Sequence, residues 1–463
     1  MLFTIHKRFL SATILCMFTA IPSANAENLL ELYQKAIDSD PVYLSSASKA
    51  ESGQEGIAQA KAKLLPTISA SASRQRSNNT SSGVQVFNGI AFPGSETTDI
   101  TDTDSFQLRL SEEVYHHDSW IALSQAEKRA KQAQMSYDVE KQNLIIRVAA
   151  SYFNVLAALD SLEFAQAEKE SVGKQLEQTK QRFDVGLIAQ TDVHEAQAKY
   201  DQATASEITS QNQVDDAYEA LREITGTTST NLARLNTTIP LVKPQPDNIS
   251  DWESVAERSN INLISNQLAT EIAREEIKRQ FAGHFPTVDF NASYSDSSST
   301  GTSAGLDDNN VSSKIGTGRD FAGTTVSLSV SIPIFSGGST SSSVRKAQYD
   351  YKIASQDLER VHREVTKQTR SAFRTIIANI SSIKALTQSQ ISNQSALEAT
   401  KAGFDVGTRT MVDVLLSTTN LYNAKRTLAR SRYDYVMNVL RLKQAAGILT
   451  QDDLIKVNGW LQH

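Results

Sequence analysis

The sequence predicts a mixed α and β fold, in which very long coiled-coil helices adjoin a few amphipathic β-strands and the whole pattern is written twice. Three observations support this. A block of sequence recurs at a near-constant offset. Two very long stretches are almost free of helix breakers. Four short segments alternate polar and apolar side chains.

The recurrence is the strongest signal. Phe183-Asp184-Val185-Gly186 returns as Phe404-Asp405-Val406-Gly407, an offset of 221. The same step takes Asp192-Val193 to Asp413-Val414, Ala126 to Ala347, Tyr152 to Phe373 and Gly226 to Gly447. One residue less aligns Leu64-Leu65-Pro66-Thr67-Ile68 with His284-Phe285-Pro286-Thr287-Val288, and Leu108 with Leu328. So constant an offset implies a duplicated unit and two similar halves, with a period far longer than that of a solenoid. The 463 residues therefore divide into a signal peptide (1–26), a first structural repeat (27–230), a linker (231–250), a second repeat (251–450) and a C-terminal segment (451–463).

The amino terminus reads as an export signal. Lys7 and Arg8 precede an apolar run from Phe9 to Ile21, and Ala24-Asn25-Ala26 is a small-residue cleavage site, so the expected cut follows Ala26. The only cysteine, Cys16, leaves with it, so the mature chain has no disulfide. Loss of Lys7 and Arg8 moves the formal net charge from −6 to about −8. Such a balance does not suit a nucleic-acid binder, which needs a basic face. Past the signal, no apolar stretch is expected to approach the roughly 18 residues of a spanning helix. A membrane crossing would then have to be a closed β-barrel.

Proline and glycine placement locates the helices. No proline lies between Pro93 and Pro240 or after Pro333, and Gly173 is the only glycine from Ser95 to Val185. Both residues break helices. The spacing predicts one long helix from Ser119 to Phe183 and its counterpart from Thr340 to Phe404; a helix of ~65 residues spans ~97 Å. Val148, Tyr152, Val155, Leu159 and Leu162 step by four and three, as do Ala347, Tyr351, Ala354, Leu358, Val361 and Val365. That is a coiled-coil seam, which needs a facing helix. The facing helices are expected at Thr191–Thr225 and Val412–Ala446, after turns at Gly186 and Gly407, so that each pair forms an αα-hairpin. Both glycines should end their helices with positive φ, and Thr191 and Asp192 are expected as N-cap residues. Leu30–Lys63 and Trp252–Gln280 read as one matching helix each. Pro240, Pro244 and Pro246 keep the linker irregular.

The alternating segments are Thr67–Ala72, Phe106–Leu110, Thr287–Tyr294 and Thr325–Ile332. A period of two means a strand with one apolar and one polar face. Within each repeat the two strands are joined by a polar loop of about 25 residues, 75–104 and 296–323, a pattern that fits transmembrane strands with long external loops. A soluble antiparallel sheet packed on the helices is the other structure that this period allows. Four strands cannot close a barrel, which takes at least about eight. Three copies would supply 4 × 3 = 12 strands, and twelve helical positions beneath them if the shorter helices stack end to end.

Leu64-Leu65-Pro66, the two Phe-Asp-Val-Gly turns, Val406 to Leu415 and Leu421-Tyr422-Asn423-Ala424-Lys425 resemble the TolC family of outer-membrane efflux and secretion channels. The resemblance runs in order over essentially the whole mature chain. It implies a homotrimer whose twelve-stranded transmembrane β-barrel in the outer membrane is continuous with a long twelve-helix coiled-coil tunnel through the periplasm, plus a mixed equatorial belt. It implies a passive, non-enzymatic exit duct for multidrug efflux and type I protein secretion. The partners it implies are a periplasmic adaptor (membrane fusion) protein and an inner-membrane efflux pump or ABC transporter.

The resemblance also implies a gate. In the family the tunnel closes at its periplasmic end through hydrogen bonds and ion pairs near the hairpin tips. The matching positions are Thr191, Asp192, Phe404, Arg409 and Asp413, with Arg409 suited to bridge two acceptors through its planar guanidinium. The family carries two aspartates one helical turn apart; this chain keeps Asp413 and has Leu416 at the second position. It also has Phe404 where the family has a tyrosine, so one hydroxyl, worth roughly 0.5–1.5 kcal/mol as a hydrogen bond, is missing. The tips are where the family receives its adaptor, which makes Val185, Gly186, Leu187, Val406, Gly407 and Thr408 the docking candidates.

No catalytic or cofactor site is expected. His116-His117 has no cysteine or acid cluster of metal-ligand spacing beside it and reads as a solvated pair at a strand end, and no phosphate-binding, dinucleotide or nucleophile-elbow motif occurs. A soluble periplasmic coiled-coil adaptor or structural spacer is the alternative. An adaptor shows one helical hairpin flanked by β-rich domains, whereas this chain shows two hairpins and duplicated strands.

Overall fold

The computed structural model describes residues 26–236, 238–306 and 312–462. The signal peptide, apart from Ala26, lies outside the described residues.

Two short helices, α1 (Leu29–Ser39) and α2 (Pro41–Ala62), lead into strands β1 (Thr67–Phe87) and β2 (Ile90–Tyr115). The long helix α3 (His117–Asp184) and its return α4 (Gln190–Thr225) follow. The same order then recurs as α5 (Ile249–Ser259), α6 (Ile261–Phe281), β3 (Thr287–Leu306), β4 (Ser312–Ser331), α7 (Ser339–Asp405) and α8 (Met411–Ala445), before a last helix α9 (Gln451–Asn458). With 68 and 67 residues, α3 and α7 are each ~100 Å long. The long helices begin and end within two residues of the positions expected from proline and glycine placement.

The two shorter expected helices are each broken. Asp40 ends α1 and caps α2, its carboxylate accepting from the Tyr43 N–H at 2.8 Å with Pro41 at the first helical position. Asn260 does the same between α5 and α6, accepting from the Leu263 N–H at 3.1 Å. A side chain that satisfies an orphan N–H makes a new helix start, and apolar periodicity alone does not register that restart.

The four strands form one antiparallel sheet in the order β1-β2-β3-β4. The expected polar loops are mostly ladder. β1 and β2 stay paired from Thr67↔Ser111 to Phe87↔Ile90, and β3 and β4 from Thr287↔Ser331 to Leu306↔Ser312. Backbone hydrogen bonds do not depend on side-chain polarity, and Thr-rich sequence accepts the pleat, so pairing outruns the apolar alternation. The first hairpin closes through Asn88 (φ 50) and Gly89 (φ 79), the positive-φ pair of a tight two-residue turn.

Register places the apolar side chains in rows. Ile68, Leu110, Ala292 and Val326 lie side by side across the sheet, and Ala70, Leu108, Tyr294 and Thr324 form the next row. The opposite face carries Ser69, Arg109, Ser293 and Thr325. Ile68, Leu108, Tyr294, Val326, Leu328 and Val330 are exposed, so the sheet buries its apolar face against nothing in the chain.

The main core sits part-way along the helices. There Leu144 to Ala158 of α3 meet Tyr433 to Leu442 of α8, with α1, α9 and the 232–241 segment wrapped around them. The wrapping is stitched by bridges Glu27↔Leu232 and Leu235↔Leu461. Tyr152 is fully buried and donates its hydroxyl to the Ala233 carbonyl at 2.6 Å. One window of α3 is long and apolar enough to cross a membrane, against the sequence expectation, and half of it is buried within the protein.

His116 is not a freely solvated histidine. Its Nε2 lies 3.0 Å from the Asp289 carboxylate, tying the β2–α3 junction to β3. Among the described residues no group of three or more ligating side chains could hold a metal.

Candidate functional site

The α3–α4 and α7–α8 hairpins end beside one another, and both end in the same backbone motif. Gly186 (φ 73) donates to the Phe183 carbonyl at 2.8 Å, and Leu187 to the Arg182 carbonyl at 2.9 Å. Gly407 (φ 79) donates to Phe404 at 3.1 Å, and Thr408 to Gly403 at 2.8 Å. These paired bonds satisfy the last helical carbonyls and require a left-handed residue, which glycine adopts without a Cβ penalty. The positive φ expected at both glycines is present.

The six docking candidates lie together at this end. Val185, Leu187 and Val406 are strongly exposed, Val406 to 75 %. Gly186, Gly407 and Thr408 complete the two turns, with the Thr408 hydroxyl donating to the Gly403 carbonyl at 3.0 Å.

The returning helices start differently. Thr410 and Asp413 form a reciprocal capping box at the head of α8. The Thr410 N–H and hydroxyl both donate to Asp413, which lowers the carboxyl pKa below its ordinary value, with Arg409 adding a favourable charge. At the head of α4 the expectation fails. The N-cap is Ala189, without a side-chain cap bond, and Thr191 and Asp192 fall inside the first turn. Asp192 there still complements the positive helix end.

The expected gate residues are only partly assembled within one chain. Phe404 is 8 % exposed and packs with Val172, Leu176, Leu397, Met411 and Leu415. Leu416 is 59 % exposed. The Arg409 stem lies on Gly403, where an added Cβ would meet its Cγ at 2.8 Å. Among the described residues, Arg409 makes no ion pair with Asp192 or hydrogen bond with Thr191.

A residue that sequence reasoning missed joins the tips. Arg182 donates through Nη2 to the Asp405 carboxylate at 2.9 Å, and its guanidinium lies 4.4 Å from the Phe404 ring centre. This cation–π stack covers one face of the Phe404 ring. The missed signal was present, because Arg182 precedes the first Phe-Asp-Val-Gly and Asp405 belongs to the second.

A sheet with an unburied apolar face, joined to paired helical hairpins ~100 Å long, is the architecture of an outer-membrane channel subunit. The model of the family described as outer membrane efflux protein matches residues 32–227 and 252–448, and the chain belongs to that family. The outer membrane protein TolC of Escherichia coli strain K12 is 41 % identical over 447 residues, covering 95 % of this chain and 86 % of that one. TolC of Vibrio cholerae is 38 % identical, covering 94 % of each. The proteases secretion protein PrtF of Dickeya chrysanthemi is 27 % identical over 95 % of this chain and 92 % of its own. Among solved structures, a membrane protein of Pseudomonas aeruginosa superimposes with a TM-score of 0.73 at 16 % identity, covering 91 % of both chains, which shows the shared fold.

Proposed function

We propose that three copies of this chain assemble into one outer-membrane duct that serves multidrug efflux and type I protein secretion. The observation that carries this is the sheet. It has four strands, an exposed apolar face and two unpaired edges, β1 and β4, each of 20 residues or more. An open edge of that length in lipid would leave several kcal/mol of unsatisfied backbone per group. Edge-to-edge closure by β1 of one copy on β4 of the next removes it, at 4 × 3 = 12 strands. The sheet face bearing Arg109 and Ser293 then lines the lumen, and the helical hairpins continue the tube into the periplasm, with the core around Tyr152 as its belt.

In this reading the two halves descend from one duplicated unit, and the signal peptide is cut after Ala26. The duct is passive and has no catalytic role. Its periplasmic end closes through the tips. Arg409, unpaired within its own chain among the described residues, reaches Thr191 and Asp192 of an adjacent copy, and Asp413 and Leu416 face the narrowed mouth. Val185, Gly186, Leu187, Val406, Gly407 and Thr408 receive a periplasmic adaptor, which couples the duct to an inner-membrane efflux pump or ABC transporter.

The test combines assembly with conduction. Outer-membrane fractions should contain a heat-modifiable trimer whose mature sequence starts at Glu27, and the purified trimer should form discrete channels in planar bilayers. A soluble periplasmic monomer without conductance would refute the duct and favour a coiled-coil spacer. A deletion strain should become drug-sensitive and lose toxin secretion.

A further inference from the structure

A cavity of about 360 Å³ opens where α3, α7 and α8 meet the segment that follows α4. Helix α8 supplies two of its cations. Lys425 and Arg432 stand seven residues apart, with Leu428 and Ala429 between them, and the steps of three, four and seven put all four on one helix face. Arg234 and Leu235 enter from the segment after α4, and α3 contributes Asp160 and Phe164.

The cations of α8 are not all satisfied by the chain. Arg426 pairs with Glu168 at 2.9 Å, and Arg430 with Asp434 at 3.4 Å. Lys425 and Arg432 are half-buried and have no ion pair or hydrogen bond among the described residues. Lys425 has only the Tyr422 ring, whose centre lies 5.1 Å from Nζ. Arg234 is engaged, donating to Glu163 at 2.8 Å. Asp160 is the acid of the lining, and it accepts from the Tyr433 hydroxyl at 2.6 Å. Set against Arg234, Lys425 and Arg432, the two carboxylates Asp160 and Glu163 leave one positive charge uncompensated.

A cation drawn partly out of water without a counter-charge carries a desolvation cost, and an anion entering the same space offsets it. The other walls are hydrocarbon: Phe164, Leu235 and Leu428. Apolar walls with a few convergent charges are the make-up of a small-molecule site, and this volume lies at the small end of that class. One surplus charge asks for one anionic group. The apolar walls ask for a hydrocarbon body attached to it.

We propose that this cavity binds a small organic carboxylate, its anionic group between Lys425 and Arg432 and its apolar body against Phe164, Leu235 and Leu428. The site is complete within one chain and does not depend on the duct reading. A ligand held there joins α8 of the second hairpin to the segment that links the two halves.

The test uses the purified mature protein in detergent and three probes. 2-Naphthoate, with ~13 heavy atoms, should bind saturably with a Kd on the order of 1 mM, the affinity of an ordinary ligand of that size, and should raise the melting temperature. The neutral 2-naphthamide should bind at least about ten-fold more weakly, as should acetate, which lacks the apolar body. Arg432→Gln should weaken 2-naphthoate about ten-fold, the loss expected for one charge-assisted contact, and Arg432→Lys should retain most of the affinity. An independent reading needs no variant: 2-naphthoate should slow acetylation of Lys425 in the wild type, while Lys346 on α7, outside the lining, reacts as before. Absence of saturable 2-naphthoate binding would overturn the site, and amide or acetate binding as tight as 2-naphthoate would overturn its ligand class. Binding that leaves Lys425 unprotected, or that Arg432→Gln does not weaken, would place the ligand elsewhere and overturn the assignment.

Discussion

Asp413 and Thr410 hold each other. The Asp413 carboxylate accepts from the Thr410 N–H and hydroxyl at 3.0 Å each, and the Asp413 N–H donates back to Thr410 Oγ1 at 3.2 Å. The residue expected to supply charge at a gate thus also starts α8. Asp413→Ala should fray the head of α8, because it removes one half of the capping box. Hydrogen exchange should show faster amides over Met411–Leu415 with α4 unchanged. Because the folded pKa is lowered, this cap is present above the ordinary value of 3.8 and weakens as pH falls below it.

Arg409→Ala should raise channel conductance. The side chain lies over Gly403 and makes no ion pair among the described residues of its own chain. Its removal therefore leaves the protomer intact and deletes only what it offers to a neighbouring copy. Conductance equal to wild type would remove Arg409 from the gate.

Tyr152→Phe should destabilise the protein by about 1–3 kcal/mol, because the Ala233 carbonyl would keep its burial and lose its donor. Thermal unfolding reads this directly, and conductance of the assembled variant should not change. A melting temperature within error of wild type would show that water reaches the carbonyl.

Acid should loosen the junction beneath the sheet. Burial works to raise the Glu276 pKa, but donation from Arg279, Gln280 and Gln125 outweighs it and holds the carboxyl at about 2. Both guanidinium bonds are 2.7 Å. A lowered folded pKa contributes stability that is complete above the ordinary 4.5 and disappears as pH falls toward 2. Unfolding measured across that window should be less steep for Glu276→Gln than for wild type.

The long helices could be read from the sequence because their cause is local: absent proline, rare glycine and a steady seam. Strand positions were legible, but strand lengths were not. Alternation marks only where one face meets an apolar medium, while the ladder between Arg74 and Thr103 continues on hydrogen bonds alone. The breaks at Asp40 and Asn260 were hidden because a cap is one side chain inside an otherwise helical stretch. At the tips, the turns were legible from glycine, but the pairing was not. Arg182 and Asp405 are 223 residues apart, and only the packing of one hairpin on the other brings them into contact.

The continuous ladder has a consequence for how the outer hairpins can change over generations. Each added residue on a pleated strand reverses which way its successors point, so a single insertion would turn polar groups toward lipid over the rest of the strand. Added in matched pairs on both strands, residues lengthen the hairpin and leave every row below in place. The tight turn at Asn88-Gly89 can then be carried outward as a unit. The natural step of variation at this turn is four residues: two up and two down.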